Sequence, residues 1–413
     1  MTHAACRFNR PTLLATLAAL LVPIAIISVQ PAESHGQEPV VRDSAGIRIV
    51  ENAAPGADLP LWTLADAPDV VIGTRAGSEE FSLHGVGAAR FLSDGGIVVQ
   101  NNYVDLLWFD PEGRLLRRGA GRGEGPAESL SLIRVEVLAG DTVLAVSKRR
   151  HPSRKLFGAD GRFVRSVPMQ IPGMVATMGR LGTEAWAGLA FGEESPPART
   201  GTFHETWYVM RYASDLSAAD TLRSLDGSMY YGDTRGFVPV LGGSRLYFAV
   251  RGDVLVTGES DTYELQVHGA DGELRHVIRN ASPNPDELQL VYLSEDRPDR
   301  GPSEPPAPPA FNGIFVANDG AVWVRRRTGP NAETVLATRM FSNSPLPSGR
   351  AVWVSEGLQG HEWHVYDRDG RLTARAMFPP GLRPTEITDS RILGVWKDEL
   401  GVEYVHAYRL NRG

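Results

Sequence analysis

Leu107-Trp-Phe-Asp-Pro-Glu-Gly-Arg-Leu-Leu116 is the stretch on which the fold turns. Apolar residues lead into a short Asp/Gly turn, and an alternating segment leads out. Glycine beside aspartate supplies the positive φ that tight hairpins need, so the stretch reads as two antiparallel strands. The phrase recurs as Leu156-Phe-Gly-Ala-Asp-Gly-Arg-Phe-Val164, as Arg211-Tyr-Ala-Ser-Asp-Leu216, as Val267-His-Gly-Ala-Asp-Gly-Glu-Leu274 and as Val365-Tyr-Asp-Arg-Asp-Gly-Arg-Leu372. The first two copies are preceded by a second hairpin phrase, Phe91-Leu-Ser-Asp-Gly-Gly-Ile-Val-Val99 and Leu138-Ala-Gly-Asp-Thr-Val-Leu-Ala-Val146. Partner strands are expected at Ile97–Val99, Thr142–Val146, Ala185–Leu189, Val254–Thr257 and Ala321–Val324. Units of roughly 40–50 residues with four short strands each point to an all-β fold, a β-propeller.

The turns centre near residues 113, 161, 215, 272 and 370. The wide last interval is assigned to one blade, Phe311–Phe378, preceded by a Pro-rich loop insertion at 281–310. Pro384–Leu410 supplies only three strands, and the alternating Gly46-Ile-Arg-Ile-Val-Glu51 is expected to provide the fourth. A ring closed by strands from both termini hides two sheet edges. The expectation is a six-bladed ring of four-stranded blades, with seven blades as the alternative.

The chain has 413 residues, 42% hydrophobic and 22% charged, which excludes collagen-like and wholly disordered classes. A net charge of −7 argues against a nucleic-acid coat, which needs a basic surface. Cys6 is the single cysteine, so disulfide frameworks, thiolate zinc sites and a downstream cysteine nucleophile are excluded. Arg7 and Arg10 precede the uncharged run Leu13–Val29, and Ser34-His35-Gly36 follows it. That is the layout of a secretory signal. It predicts a signal peptide over 1–36, a single propeller domain over 37–413, and a periplasmic or extracellular protein. Retention of the leader as a membrane anchor is the alternative.

Most of residues 46–410 resembles the six-bladed, NHL-repeat type propellers of exported bacterial proteins. The likeness rests on Ser93-Asp-Gly-Gly-Ile-Val-Val99, on Phe109-Asp-x-x-Gly-Arg-Leu115, on the connector Gly121-Arg-Gly-Glu-Gly-Pro-Ala-Glu128 and on the ending Gly394-Val-Trp-Lys-Asp-Glu-Leu-Gly-Val-Glu-Tyr-Val405. Such units usually place an aromatic after the connector; Gly77-Ser-Glu-Glu-Phe81 keeps it, and Ser129 does not. The resemblance implies a fold and a ligand- or partner-binding face, and no single activity.

Motifs with chemistry are sparse. Gly119-Ala-Gly-Arg-Gly-Glu-Gly-Pro126 fails both dinucleotide and P-loop patterns and reads as an inter-blade loop whose glycines supply positive φ. His361-Glu-Trp-His364 has the wrong spacing for a zincin and lies in a strand, where the two imidazoles face opposite ways. Asp367-Arg-Asp-Gly370 reads as a turn, not a calcium loop. No Gly-x-Ser-x-Gly elbow occurs. Lys148-Arg-Arg150 and Arg325-Arg-Arg327 read as solvated loop charges, and Trp108, Trp323, Trp353, Trp363 and Trp396 as packing between blades. The expected function is therefore a non-catalytic, exported and monomeric binding module. It would use a loop-lined end of the channel to hold a peptide, glycan or protein partner, with no cofactor and no nucleic acid. Arg122 and Glu124, in the Gly-rich connector, are the candidate ligand-binding residues. The alternative is a metal-dependent enzyme of lactonase or lyase type, whose divalent cation sits on the propeller axis. Asn101, Asn102, Asp105, Glu124 and Asn318 are among the side chains available to it.

Overall fold

The computed structural model describes residues 38–412, apart from 75–81, 148–151, 170–173, 192–199, 235, 241, 282–288, 293–305, 307–308, 327–350 and 355–360. The described residues all belong to one compact unit, Gly36–Gly413. The expected signal peptide, the Phe81 connector, the Lys148–Arg150 cluster and most of the Pro-rich insertion lie outside the described residues. The described chain is all-β, in curled sheets that fit a β-propeller, with one 3-10 turn at Ala139–Asp141.

Strands β1 (Val40–Ser44) and β2 (Ile47–Asn52) form a hairpin, and β3 (Leu61–Leu64) and β4 (Val70–Ile72) follow. The first four-stranded antiparallel sheet is β5 (Ala88–Phe91), β6 (Ile97–Asn101), β7 (Asp105–Phe109) and β8 (Leu115–Ala120). The second is β9 (Leu132–Val137), β10 (Val143–Ser147), β11 (Ser153–Phe157) and β12 (Phe163–Pro168). In the third, β13 (Met174–Leu181) and β14 (Ala185–Phe191) precede a long hairpin, β15 (Gly201–Ala213) and β16 (Ala219–Asp233), edged by β17 (Gly236–Pro239). The fourth is β18 (Leu246–Arg251), β19 (Val254–Glu259), β20 (Glu264–His268) and β21 (Leu274–Asn280). After β22 (Gln289–Tyr292), the fifth begins with β23 (Gly313–Val316) and β24 (Val322–Arg325). β25 (Ala351–Val354) pairs away with β22, and β26 (His361–Tyr366) and β27 (Leu372–Phe378) complete the fifth sheet. The last strands are β28 (Leu382–Ile387), β29 (Arg391–Lys397) and β30 (Glu403–Asn411).

The missing fourth strand of that last group is β4, which pairs antiparallel with β30 through Val70↔Ala407 and Ile72↔Val405. This corrects the expectation for Gly46–Glu51. That segment, as β2, instead runs parallel to β21 on the outer edge of the fourth sheet. Its Asn52 amide donates to the Gly370 carbonyl at 2.9 Å and accepts from Leu372 N–H at 2.8 Å, which fixes it to the turn of the fifth sheet. β3 then bridges β27 and β30. The chain from β1 to β4 thus straps the outer edges of three sheets before it enters the first. Alternation marked β2 as a strand but does not encode its partner. β4 has only three residues, and two of them, Val70 and Ile72, are buried.

Apolar side chains fill the space between successive sheets. Trp108 meets Phe157 between the first and second. Leu144 and Val146 meet Trp186 and Tyr212 between the second and third. Leu181 and Val209 meet Val250 and Leu255 across the next seam. Leu265 and Ile278 meet Val324 and Tyr366 across the one after. Trp323 and Trp363 meet Ile392 and Leu410. Finally Ile97, Val99 and Leu107 of the first sheet meet Leu393, Val395 and Val405 of the last group. Each such buried side chain contributes roughly 1.5–3 kcal/mol. Trp108, Trp323 and Trp363 are core residues as expected, while Trp396 is half-buried and stacks on His406.

Candidate functional site

A cleft of about 810 Å³ opens where the connector after β8 passes over the ends of the second sheet. Its wall is the segment Gly123–Leu130, and its floor is built from Ser147, Ser153 and Lys155. Ser147 and Ser153 are directly opposed across the β10–β11 ladder, and Lys155 lies on the same face two residues on. Ser129 closes the connector over this floor. It is buried, its hydroxyl lies 2.8 Å from the Ser147 hydroxyl, and it accepts from Ser131 N–H.

Lys155 is 6% exposed, and its ammonium donates to the Pro126 carbonyl at 3.0 Å. Burial lowers its pKa below the ordinary lysine value, and Glu128 opposes that shift. Arg154, its neighbour on β11, reaches the Ser214 carbonyl of the next sheet at 2.9 Å. The connector folds on Glu128, whose carboxylate accepts from Gly125 N–H at 2.9 Å. None of Gly119, Gly121, Gly123 and Gly125 has positive φ, which corrects the reading of this segment. Gly119 and Gly123 serve close approach instead: a Cβ on Gly119 would lie 2.5 Å from the Trp108 ring and one on Gly123 1.9 Å from Glu128 Oε2, whereas one on Gly121 would meet only Asp105 Oδ1 at 3.6 Å.

Glu124 lines this cleft, and Arg122 stands beside it, exposed, in a bridge with Ser129. Next to the connector, the β6–β7 turn holds Asn102 and Tyr103 at φ of 49° and 59°. Val104 N–H donates to the Asn101 carbonyl at 3.1 Å, so both residues take the left-handed conformation that a tight hairpin turn requires. The Tyr103 side chain is exposed, and its carbonyl accepts Leu132 N–H at the start of β9.

A second polar cluster gathers on the free inner edges of the sheets, on strands β5, β9, β18 and β28. Arg134 and Glu136 of β9 are paired at 2.5 Å. Arg251 of β18 is paired with Glu386 of β28, skipping the fifth sheet, whose Asn318 donates to the same carboxylate at 3.1 Å. The other Glu386 oxygen accepts from Phe91 N–H at 2.7 Å. Arg90 of β5 donates to the carbonyls of Ala89 and Thr385. Burial lowers its pKa to about 10, so it stays charged at neutral pH. Burial pushes the Glu136 carboxyl up, but Arg134, Arg90 and Arg251 outweigh it and hold it below the usual range.

The five side chains considered for an axial cation do not assemble. The Asn101 side chain accepts from His84 N–H, Asn102 is exposed and donates only its backbone N–H to the His84 carbonyl, Asp105 pairs with Arg118, Glu124 lies in the cleft, and Asn318 alone reaches the inner cluster. The carboxylates there are already taken by guanidinium groups, a donor set that repels a divalent cation. Among the described residues no group of three or more His, Cys, Asp or Glu is placed to hold a metal. His364 is fully buried and accepts or donates to the Tyr263 hydroxyl at 3.0 Å, while the side chains of His361 and Trp353 lie outside the described residues. Asp367 caps its own turn through Asp369 and Arg371 N–H. Arg325 is half-buried on β24 and donates to Asn312 at 2.8 Å, which corrects its reading as a solvated loop charge.

No helix among the described residues is long and apolar enough to cross a membrane. The sequence matches no family model and no curated protein sequence. Among solved structures, a Bacteroides fragilis protein named as an exported protein is similar over 88% of this chain and 99% of its own, with 10% identity and a TM-score of 0.45. A gluconolactonase of Xanthomonas campestris covers 83% of this chain and 96% of its own, with 13% identity and a TM-score of 0.38. Hsv2 of Kluyveromyces lactis covers 79% and 98%, with 9% identity and a TM-score of 0.33.

Proposed function

We propose that the chain is an exported binding module of NHL-repeat type. In this reading it is a closed ring of six four-stranded blades that holds a peptide or glycan in the cleft beside the Gly-rich connector. Two observations support the closed ring. The apolar seam between Ile97 and Leu393 joins the first sheet to the last, and Arg251 reaches Glu386 past an intervening sheet. The leader over residues 1–36 supports export.

The cleft carries the functional reading. It combines hydroxyls, a buried ammonium and a glycine-rich wall on a rigid sheet end, which suits recognition of a polar ligand. The Asp/Gly turns, by contrast, are short, uniform and packed against neighbouring sheets, so they serve closure of the fold. The test is a screen of residues 37–413 on immobilised glycan and peptide arrays, followed by alanine substitution. Glu124→Ala and Lys155→Ala should weaken binding of the retained ligand about tenfold, as expected for loss of one charge-assisted hydrogen bond. Asp160→Ala and Asp271→Ala should leave it unchanged. The opposite pattern overturns the assignment.

A further inference from the structure

The inner cluster contains three guanidinium groups, from Arg90, Arg134 and Arg251, and two carboxylates, from Glu136 and Glu386. Two of the guanidiniums each hold one carboxylate. The third does not: among the described residues no carboxylate comes within ion-pairing distance of Arg90, which is only 6% exposed. One of its terminal nitrogens is spent on two backbone carbonyls, and its buried Nε has no hydrogen-bond partner. Glu136 and Glu386 act on Arg90 only from beyond ion-pairing distance, so three guanidiniums face two carboxylates and the cluster keeps one net positive charge; arginine does not shed that charge by losing its proton at neutral pH.

We propose that this cluster is a binding site for a small oxyanion, a carboxylate or inorganic phosphate, seated on Arg90 and flanked by Arg134 and Arg251. The planar fork of a guanidinium matches the paired oxygens of such an anion. Arg134 and Arg251 have side chains about one-fifth exposed, so solvent reaches the cluster from their side. The Arg134 guanidinium lies over β13, where a Cβ on Gly179 would come within 2.9 Å of its Nη2. Glu136 and Glu386 compete with it and set its affinity. This site is separate from the cleft and does not depend on its ligand.

The experiment is isothermal titration of residues 37–413 with sodium phosphate and, separately, sodium acetate, each against sodium chloride of equal ionic strength. A parallel thermal-unfolding series reads the same binding as a rise in Tm. Saturable binding of at least one oxyanion is expected, and the two arms tell phosphate from carboxylate. Arg90→Met should weaken it at least tenfold. Glu136→Gln should tighten it several-fold, because it removes a competing negative charge; a merely structural ion pair gives no such gain. Should Arg90→Met fail to fold, Glu136→Gln decides alone. The proposal is overturned if neither oxyanion does more than chloride, if Arg90→Met binds like the parent, or if Glu136→Gln leaves affinity unchanged.

Discussion

Five turns share one set of atoms. In each, the glycine N–H donates three residues back: Gly113 to Asp110, Gly161 to Gly158, Gly272 to Gly269, Gly370 to Asp367 and Gly401 to Asp398. The aspartate position varies with the sequence. Asp110, Asp367 and Asp398 each accept two later backbone N–H groups, whereas Gly-x-Asp-Gly turns use Asp160 or Asp271 for one. Every one of these glycines has φ between 73° and 86°. What the sequence hides is the neighbour. A Cβ on Gly401 meets nothing within 4 Å, but one on Gly113 meets Val70 at 3.0 Å and one on Gly370 meets His276 at 2.9 Å. Gly401→Ala should therefore cost only the left-handed penalty, about 1–2 kcal/mol. Gly113→Ala and Gly370→Ala should cost about 1–3 kcal/mol more through overpacking. Urea denaturation of the three variants reads the difference, and equal costs would show that the turns do not pack. Histidines add a pH dependence. Burial lowers the His406 pKa to about 4, and His268, His276 and His364 are also lowered by burial. These rings are neutral in the fold and protonate more readily when unfolded. Stability should thus be full above about pH 6.5 and fall as pH drops through 6.5 toward 4, at about 1.4 kcal/mol per unit of depression. His406→Gln should flatten that slope in denaturation midpoints measured between pH 7 and 4.

At the level of elements, the sequence displayed strands well and partners poorly. The expected strands at 97–99, 142–146, 185–189, 254–257 and 321–324 all fall on β6, β10, β14, β19 and β24. Periodicity is a property of one strand, whereas pairing is a property of two, and β2 and β4 exchanged roles for that reason. The site was legible to the same degree. Gly-rich composition pointed to the connector, but its floor did not stand out, because Ser153 and Lys155 look like polar loop residues. The available signal was their alternation with Phe157, which puts a lysine on the core face of β11. Arg90 offered a similar signal, a charge inside the apolar run Ala88-Ala-Arg-Phe91. The exchanged roles can be tested. Ile72 is 2% exposed and completes the apolar seam with Val405, so Ile72→Ala should cost about 2–5 kcal/mol. Residues of β1 are all exposed, so removing residues 37–44 should change stability by less than about 0.5 kcal/mol. Thermal melts of the two variants check this, and a large loss from the truncation would return the closing role to the first hairpin.

Across the whole molecule, the question is whether the stack of sheets has ends. In an open array each sheet contacts only its neighbours, so the terminal sheets unravel first and at lower cost. In a closed ring no sheet is terminal. Here the first sheet is held to the last by more than apolar contact. Val86 N–H donates to Glu403 at 2.7 Å, Arg383 donates to the Val86 carbonyl at 2.7 Å, and Phe91 N–H donates to Glu386. Three hydrogen bonds thus accompany the apolar contact between the first sheet and the last strands. Native-state hydrogen exchange separates the two cases, because it resolves local opening from global unfolding. Amides of Val98 and Leu107 in the first sheet, and of Leu393 and Val405 in the last, should exchange at the same free energy as Ala145 and Val256 in the middle. Under a closed ring, Ile72→Ala should lower all of them together. If the first and last sheets instead exchange several kcal/mol more easily than the middle ones, the seam is an opening and the ring is an arc.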